Sequence, residues 1–305
     1  MESLNLRNVI GSAETATPIT KEMLGPLATL DFPLGQRCPS NWCPPVGYTL
    51  EKATVKDVPI ERLIPENGSN GKAILMLHGG AYVWPLMDSN RELAVVLSQL
   101  TQGAEVVNVD YRIAPTYVYP AALEDCVIAY KALLDLGYKG EDILLIGESA
   151  GGGLVLALTL YLKDHSLPLP KGIIAISPWT ELNDIAPSHR INYTKDIILG
   201  QNGCSIATQG KKQFYRANTD YRTPYLSPLH GDYSNFPALL VQVGTYEMLY
   251  DDATRVVEKA EKAGVDVTFS SYYGMFHCFQ EILPELPESK LAWAEIKRFI
   301  NQYFY

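Results

Sequence analysis

The chain contains 305 residues, has a formal net charge of −9 and is 47% hydrophobic. The hydrophobic fraction is sufficient for a large buried core, and the length suits either one α/β domain with a cap or two domains. The negative net charge and the scattered lysine and arginine residues give no support for binding to nucleic acids or to anionic membranes. Composition therefore argues against these two classes of partner.

The cysteines and the N-terminus bear on where the protein resides in the cell. The cysteines are Cys38, Cys43, Cys126, Cys204 and Cys278. Their number is odd and their spacing is not that of a zinc site, so we interpret most of them as reduced thiols. Residues 1–7 lack the apolar segment of a signal peptide, and no apolar run approaches the roughly 18 residues that span a bilayer. We therefore expect a cytoplasmic protein with no membrane span.

Strands and helices alternate along the chain after an irregular start. Residues 1–48 are rich in proline, glycine and asparagine and predict short helical stretches at best. Residues 53–64 are typical of one or two edge strands. Further apolar segments predict buried strands at 73–77, 106–109, 143–146, 173–176 and 239–244, and crossover helices at 91–100 and 121–136. This order predicts an α/β fold whose mostly parallel sheet has helices on both faces.

A glycine loop follows the first buried strand directly, with the sequence His78-Gly79-Gly80-Ala81-Tyr82. Adjacent glycines at a strand end suit a loop whose backbone N–H groups bind an oxyanion, and Gly79 and Gly80 are the predicted donors. Ala81 fits such a loop if its φ is negative. A surface loop with a histidine is the alternative for this segment taken alone.

A second motif lies at the end of the strand 143–146, where the chain reads Gly147-Glu148-Ser149-Ala150-Gly151-Gly152. This is a G-x-S-x-G pattern between a strand and a helix, which forces the serine hydroxyl out above the sheet edge. The helix N-terminus offers free N–H groups to an oxyanion. We therefore predict that Ser149 is a nucleophile and that the Ala150 N–H belongs to the oxyanion hole. An ordinary tight turn is the alternative for the motif taken alone.

The two motifs, in this order and spacing, resemble those of the hormone-sensitive lipase family of α/β-hydrolases. The resemblance continues in segments 110–115, 119–125 and 177–182, which begin Asp-Tyr-Arg, Tyr-Pro-Ala and Ser-Pro-Trp. It implies an α/β-hydrolase fold and the hydrolysis of carboxylic esters, with no metal or organic cofactor. It further implies a division into an N-terminal cap segment at 1–48, a core in two parts at 49–182 and 226–305, and a cap insertion at 183–225.

The base that would serve Ser149 is one of the five histidines of the chain. They are His78, His165, His189, His230 and His277. In this fold the order along the chain is serine, acid, histidine. His277 follows an apolar and aromatic strand near the C-terminus, where the family carries its histidine with an aromatic residue two positions later, here Phe279. His277 is therefore the predicted base, and a half-buried packing histidine is the alternative.

The acid is predicted from the segment after the strand 239–244. At this point relatives usually have the five-residue pattern Asp-Pro-Leu-x-Asp, in which x is any residue. Aligning Leu249 on that leucine places Glu247 at the acid position, which predicts a triad of Ser149, His277 and Glu247. Asp251 is the alternative acid and is otherwise interpreted as the N-cap of a helix from 253 to 263 that Gly264 ends.

The neighbour of the predicted base, Cys278, allows two interpretations. Consecutive side chains of an extended loop point apart, which favours a buried and inert thiol. Alternatively, the thiol lies close enough to His277 that an imidazolium lowers its pKa and raises its reactivity.

Together, these features predict a serine carboxylesterase that hydrolyses short-chain or small aromatic esters through an acyl-enzyme intermediate. Two other functions stay open. One is an amidase or formamidase on the same scaffold, as in kynurenine formamidase-like enzymes. The other is a non-catalytic receptor, since the plant gibberellin receptor resembles this family but lacks the catalytic histidine, which here is present as His277. A homodimer is left open as a further partner.

Overall fold

The computed structural model describes residues 4, 6–29, 35–36, 40–183, 185–201 and 214–305. Part of the insertion predicted at 183–225 therefore lies outside the described residues, as do Cys38 and Cys204. The strands are β1 (Val9–Ile10), β2 (Tyr48–Val55), β3 (Val58–Pro65), β4 (Ala73–Leu77), β5 (Glu105–Val109), β6 (Ile143–Glu148), β7 (Gly172–Ile176), β8 (Ala238–Gly244) and β9 (Val267–Tyr272).

The helices alternate with these strands. They are α1 (Asp88–Leu100), α2 (Ala121–Asp135), α3 (Ala150–Asp164), α4 (Pro187–Ile191), α5 (Tyr250–Lys262), α6 (Phe279–Ile282) and α7 (Pro287–Tyr303). Within the described residues, 3-10 segments lie at Lys21–Thr29, Gly140–Asp142 and Pro228–His230. None of the described helices is long and apolar enough to cross a membrane.

One nine-stranded sheet runs through the described residues in the order β1-β9-β8-β7-β6-β4-β5-β3-β2. The pairs from β1 to β5 along this order are parallel, and β3 pairs antiparallel with both β5 and β2. Strands such as β4 are apolar at every position because helices cover both faces of the sheet. Side chains of α1 and α7 pack on one face, and those of α2, α3 and α5 pack on the other. The predicted α/β-hydrolase fold is confirmed.

The two edges of the sheet differ from the predicted pattern in one respect. Residues 53–64 fall in two antiparallel strands, β2 and β3, joined by a turn at Lys56 and Asp57, where φ is 47° and 70°. At the other edge, β1 lies in the segment for which only helical stretches were expected, and that expectation is wrong for Val9 and Ile10. A two-residue strand has no detectable alternation, and its bonds to β9 are made by backbone atoms.

The helix after β8 also begins earlier than the sequence predicts. Helix α5 starts at Tyr250, which places Asp251 inside its first turn, so the prediction that Asp251 is the N-cap is wrong. The Asp251 carboxylate instead accepts the Ser188 backbone N–H at 2.7 Å. The end of the helix is as predicted, because Gly264 follows it with a φ of 82° and donates its N–H to Glu261.

Candidate active site

Four polar side chains follow four neighbouring strands of the sheet. Ser149 comes directly after β6, Ser177 after β7, Glu247 three residues after β8, and His277 five residues after β9. The strands are parallel, so these residues all lie at the carboxyl edge of the sheet, where open α/β sheets bind their ligands. The fold therefore brings the three predicted catalytic residues to the same edge.

Ser149 occupies a strained turn between β6 and α3. Its φ and ψ are 57° and −119°, a region that non-glycine residues enter only at a cost of about 1–3 kcal/mol. The Ser149 N–H donates to Ile176, and the Ser149 carbonyl accepts the Trp179 N–H, both at 2.9 Å. A side chain at Gly151 would clash, since an added Cβ would lie 1.9 Å from the Leu77 carbonyl oxygen. Backbone bonds to the next strand and close helix packing thus hold the serine in this conformation.

The imidazole of His277 faces a buried carboxylate. Its Nδ1 atom donates to Glu247 Oε2 at 3.0 Å, which leaves Nε2 as the acceptor whenever the ring is neutral. Burial lowers the pKa of His277, but the hydrogen bond and charge of Glu247 outweigh it, so that the pKa lies above its ordinary value. The pair has the arrangement of a general base and the acid that orients it.

Glu247 is itself fixed by its second oxygen. Oε1 accepts the Ser177 hydroxyl at 2.7 Å and the Gly244 N–H at 2.6 Å. The Ser177 oxygen also accepts the Cys278 N–H at 3.2 Å, and thereby connects the acid to the loop that carries His277. In the sequence, Ser177 stands out only as the first residue of the segment 177–182 that resembles the family. Its position directly after the strand next to that of the nucleophile was the signal that could have revealed this role.

Asp251, the alternative acid, faces away from the histidine. Its carboxylate bonds to Ser188 in α4, and the neighbouring Asp252 accepts two backbone N–H groups and lies 2.8 Å from the His189 ring. Among the described residues, the structure therefore brings Glu247 rather than Asp251 to His277.

The glycine loop lies beside the nucleophile, but one of its predicted donors is occupied. A Cβ added at Gly79 would be 3.1 Å from Ser149 Cβ. The Gly79 N–H donates to Glu148 Oε1 at 2.5 Å, so the assignment of this N–H to the oxyanion hole is corrected. Within the described part of the chain, the N–H groups of Gly80, Ala81 and Ala150 face no acceptor. These three are the donors available to an oxyanion.

The backbone of the loop is left-handed beyond Gly79. Ala81 has a φ of 53° and Tyr82 of 60°, so the condition of a negative φ, under which alanine was expected to fit at position 81, is not met. The turn closes through bonds from the N–H groups of Val83 and Trp84 to the Gly80 carbonyl. Tyr82 is buried and its ring stacks on Tyr215 at 4.0 Å, which holds the turn in place.

Comparisons with known proteins agree with this fold. Residues 74–281 match a family model described as an α/β-hydrolase fold. The chain is 39% identical over 223 residues to an acetyl-hydrolase of Streptomyces hygroscopicus, covering 73% of each protein. A crystal structure of a bacterial hormone-sensitive lipase family esterase has a TM-score of 0.77 and 33% identity, over 95% of this chain and 94% of that one. EstE5 soaked with p-nitrophenyl butyrate has a TM-score of 0.80 and 32% identity, over 93% and 97%.

The chain belongs to the hormone-sensitive lipase family of α/β-hydrolases. The resemblance inferred from the motifs is thereby confirmed, and the protein is a carboxylic ester hydrolase. None of the described residues forms a group of three or more His, Cys, Asp or Glu side chains able to hold a metal ion.

His78 of this hydrolase supports the glycine loop. Its Nδ1 donates to the Gly79 carbonyl at 2.7 Å, and its ring stacks on Tyr111 at 4.1 Å. The Tyr111 hydroxyl donates to the His78 carbonyl. Burial lowers the pKa of His78 to about 4, so the ring is neutral near neutral pH. His78 thus shapes the loop and does not carry charge at the site.

The Cys278 thiol of the hydrolase lies 3.5 Å from His277 Nε2. The residue is 6% exposed, and burial raises the pKa of its thiol well above the ordinary value. The interpretation in which His277 lowers this pKa is therefore wrong, because desolvation of the thiolate exceeds the attraction of the ring. The side chain remains a thiol that donates a weak hydrogen bond to the base.

Proposed function

We propose that this carboxylic ester hydrolase cleaves short-chain or small aromatic esters through an acyl-enzyme intermediate, with Ser149 as nucleophile, His277 as base and Glu247 as acid. The observation that supports this most directly is the buried contact between His277 Nδ1 and Glu247 Oε2, at the sheet edge that also carries the strained serine. The names of the relatives, an acetyl-hydrolase and an esterase soaked with a butyrate ester, support short acyl groups.

The proposed chemistry follows from the positions of these groups. The Ser149 oxygen attacks the ester carbonyl carbon while its proton passes to His277 Nε2. The carbonyl oxygen gains the electron pair and is bound by the N–H groups of Gly80 and Ala150, with Ala81 as a third donor. His277 then protonates the leaving alcohol, and water repeats both steps on the acyl-enzyme to release the acid.

The decisive experiment compares the wild type with Ser149→Ala. We expect the variant to keep its circular dichroism spectrum and melting temperature and to lose kcat by ~10⁴-fold or more. Mass spectrometry of the wild type treated with a fluorophosphonate should show a single adduct on Ser149. Turnover near the wild-type value in the folded variant would refute the assignment.

Substrate preference is tested on p-nitrophenyl esters of increasing acyl length. We expect the highest kcat/KM for acyl groups up to about six carbons, because a bounded pocket accepts few additional methylenes. A matched anilide should react far more slowly than the phenyl ester. Preference for long acyl chains, with a rate increase above the micellar threshold, would contradict the proposed ester class, and a faster anilide would indicate an amidase.

A further inference from the structure

Glu148 has no role in the proposed mechanism, although its carboxylate is buried and directly precedes Ser149 in the chain. Glu148 ends β6 and is 7% exposed. Its Oε1 atom accepts the Gly79 N–H at 2.5 Å and the Asn90 side-chain amide at 3.2 Å. One oxygen therefore connects three elements, namely the strand before Ser149, the glycine loop and the first turn of α1. A buried carboxylate costs free energy unless it is hydrogen-bonded, and here the bonds lead to the glycine loop.

Gly79, whose N–H donates to Glu148, directly precedes Gly80 and Ala81, the residues with unoccupied N–H groups. Gly79 itself is in contact distance of Ser149, and Gly80 and Ala81 follow it with unoccupied N–H groups. Each peptide unit is planar. Once the Gly79 N–H is fixed, the direction of the Gly80 N–H therefore depends on only two dihedral angles, the φ and ψ of Gly79. Gly80 has a φ of 104° and has no side chain to restrict its backbone, so it cannot hold the loop by itself.

We propose that Glu148 is a positioning residue that holds Gly79, so that the N–H groups of Gly80 and Ala81 point at the oxyanion together with that of Ala150. The inference rests on the proposed function. Glu148 does not touch the substrate and acts only through the loop. Its charge also interacts with His277 and with the neighbouring Glu281, so an electrostatic effect on the base is the alternative that an experiment must separate.

Two variants separate the bond from the charge. Glu148→Gln and Glu148→Leu both remove the ionisable carboxyl group at similar side-chain volume, but only glutamine keeps an acceptor oxygen for Gly79. Losing an oxyanion-hole donor costs 10²–10³ in kcat, so we expect Glu148→Leu to lose about 100-fold in kcat with KM changed by less than about threefold. Glu148→Gln should lose less than about tenfold, because its amide oxygen still accepts the N–H.

The affinity for a transition-state analogue is a measurement that would not change if Glu148 had a merely structural role. The Ser149 oxygen adds to the carbonyl carbon of an alkyl trifluoromethyl ketone. The serine proton passes to His277, and the carbonyl oxygen becomes an oxyanion. Its inhibition constant should rise about 100-fold in Glu148→Leu and far less in Glu148→Gln. The matching trifluoromethyl alcohol forms no oxyanion and should bind both variants as it binds the wild type.

Glu281→Gln is the matched control, because it removes the carboxyl group that interacts electrostatically with Glu148 without touching Gly79. We expect its kinetics to stay within about twofold of the wild type. Equal losses in the Gln and Leu variants, or unchanged ketone affinity in Glu148→Leu, would overturn the proposal. If Glu148→Leu does not fold, Glu148→Met provides the same comparison. Turnover in Ser149→Ala would instead refute the proposed function, whereas an inactive Ser149→Ala beside an unaffected Glu148→Leu would refute this inference alone.

Discussion

The two sides of Ser149 are built by different means. On the histidine side, Glu247 is held by three hydrogen bonds within the buried ends of adjacent strands, and Ser177 adds a bond to the histidine loop. On the glycine-loop side, one carboxylate oxygen and a left-handed backbone set the direction of the donors. The His277 side is therefore held by side-chain bonds that converge on the Glu247 carboxylate, whereas the glycine loop is held mainly by bonds to its own backbone, one of which goes to Glu148. Variants on the two sides should differ in magnitude accordingly.

The largest effect on the histidine side is expected for Glu247→Gln. An amide at this position cannot stabilise the imidazolium and favours the wrong tautomer of His277, so we expect kcat to fall by about 10³–10⁴-fold. The matched control is Asp251→Asn, since an asparagine oxygen can still accept the Ser188 N–H. This control should keep most of its activity. An inactive Asp251→Asn with a native melting temperature would assign the acid to Asp251 instead.

The pH profile sharpens the same comparison. His277 must be neutral to accept the serine proton, so kcat/KM falls as the pH drops through its pKa. That pKa lies above its ordinary value because of Glu247, and the acidic limb of the wild type should lie correspondingly high. In Glu247→Gln the carboxylate that raises the pKa of His277 is gone. The acidic limb of the residual activity should therefore lie at lower pH than in the wild type. An unshifted limb would mean that Glu247 does not control the protonation of His277.

A smaller loss is expected for Ser177→Ala. The variant removes a donor to Glu247 and leaves the buried Cys278 N–H unpaired, which should lower kcat by about 10–100-fold with little change in KM. Ser188→Ala is the control, because Ser188 is equally buried and also makes two bonds, to Met248 and Asp251, outside the triad. Both variants should lower the melting temperature, but only Ser177→Ala should lower kcat. Equal kinetics of the two would remove Ser177 from the catalytic network.

The same contrast explains what could be predicted from the sequence. The buried strands β4 to β8, the crossover helices α1 and α2 and the elbow at Ser149 have strong apolar periodicity or a motif in context, and these were predicted near their observed bounds. Groups whose role depends on contacts between distant segments were missed, because the sequence does not show that Ser177 contacts Glu247 or that Glu148 contacts Gly79. The two-residue β1 was missed because its pairing is carried by backbone atoms alone.

A near-neutral effect is expected for Cys278→Ala. The thiol gives His277 Nε2 only a weak hydrogen bond and is kept protonated by burial, so we expect kcat within about twofold of the wild type. Brief iodoacetamide treatment of the folded enzyme should label the exposed Cys43 before Cys278, as read by peptide mass spectrometry. Rapid alkylation of Cys278 with loss of activity, prevented by a substrate analogue and absent in Cys278→Ala, would contradict the assignment of an inert thiol.

A small effect is also expected for Ala81→Gly, which tests whether backbone conformation alone contributes to the glycine-loop side. Ala81 holds a left-handed φ that costs roughly 1–2 kcal/mol for a residue with a Cβ, whereas glycine loses about 0.5–1 kcal/mol more conformational entropy on folding. Ala81→Gly should therefore change the free energy of unfolding by less than about 1 kcal/mol. The exposed Ala217, with a φ of 51°, is a matched position far along the chain from the loop, and Ala217→Gly should change stability similarly. Only Ala81→Gly should lower kcat, by roughly threefold, because a freer loop spends less time with its N–H groups aligned. Unchanged kcat would mean that the left-handed φ of Ala81 does not set the direction of these donors, and that the hydrogen bonds of the loop, such as that from Gly79 to Glu148, hold them instead.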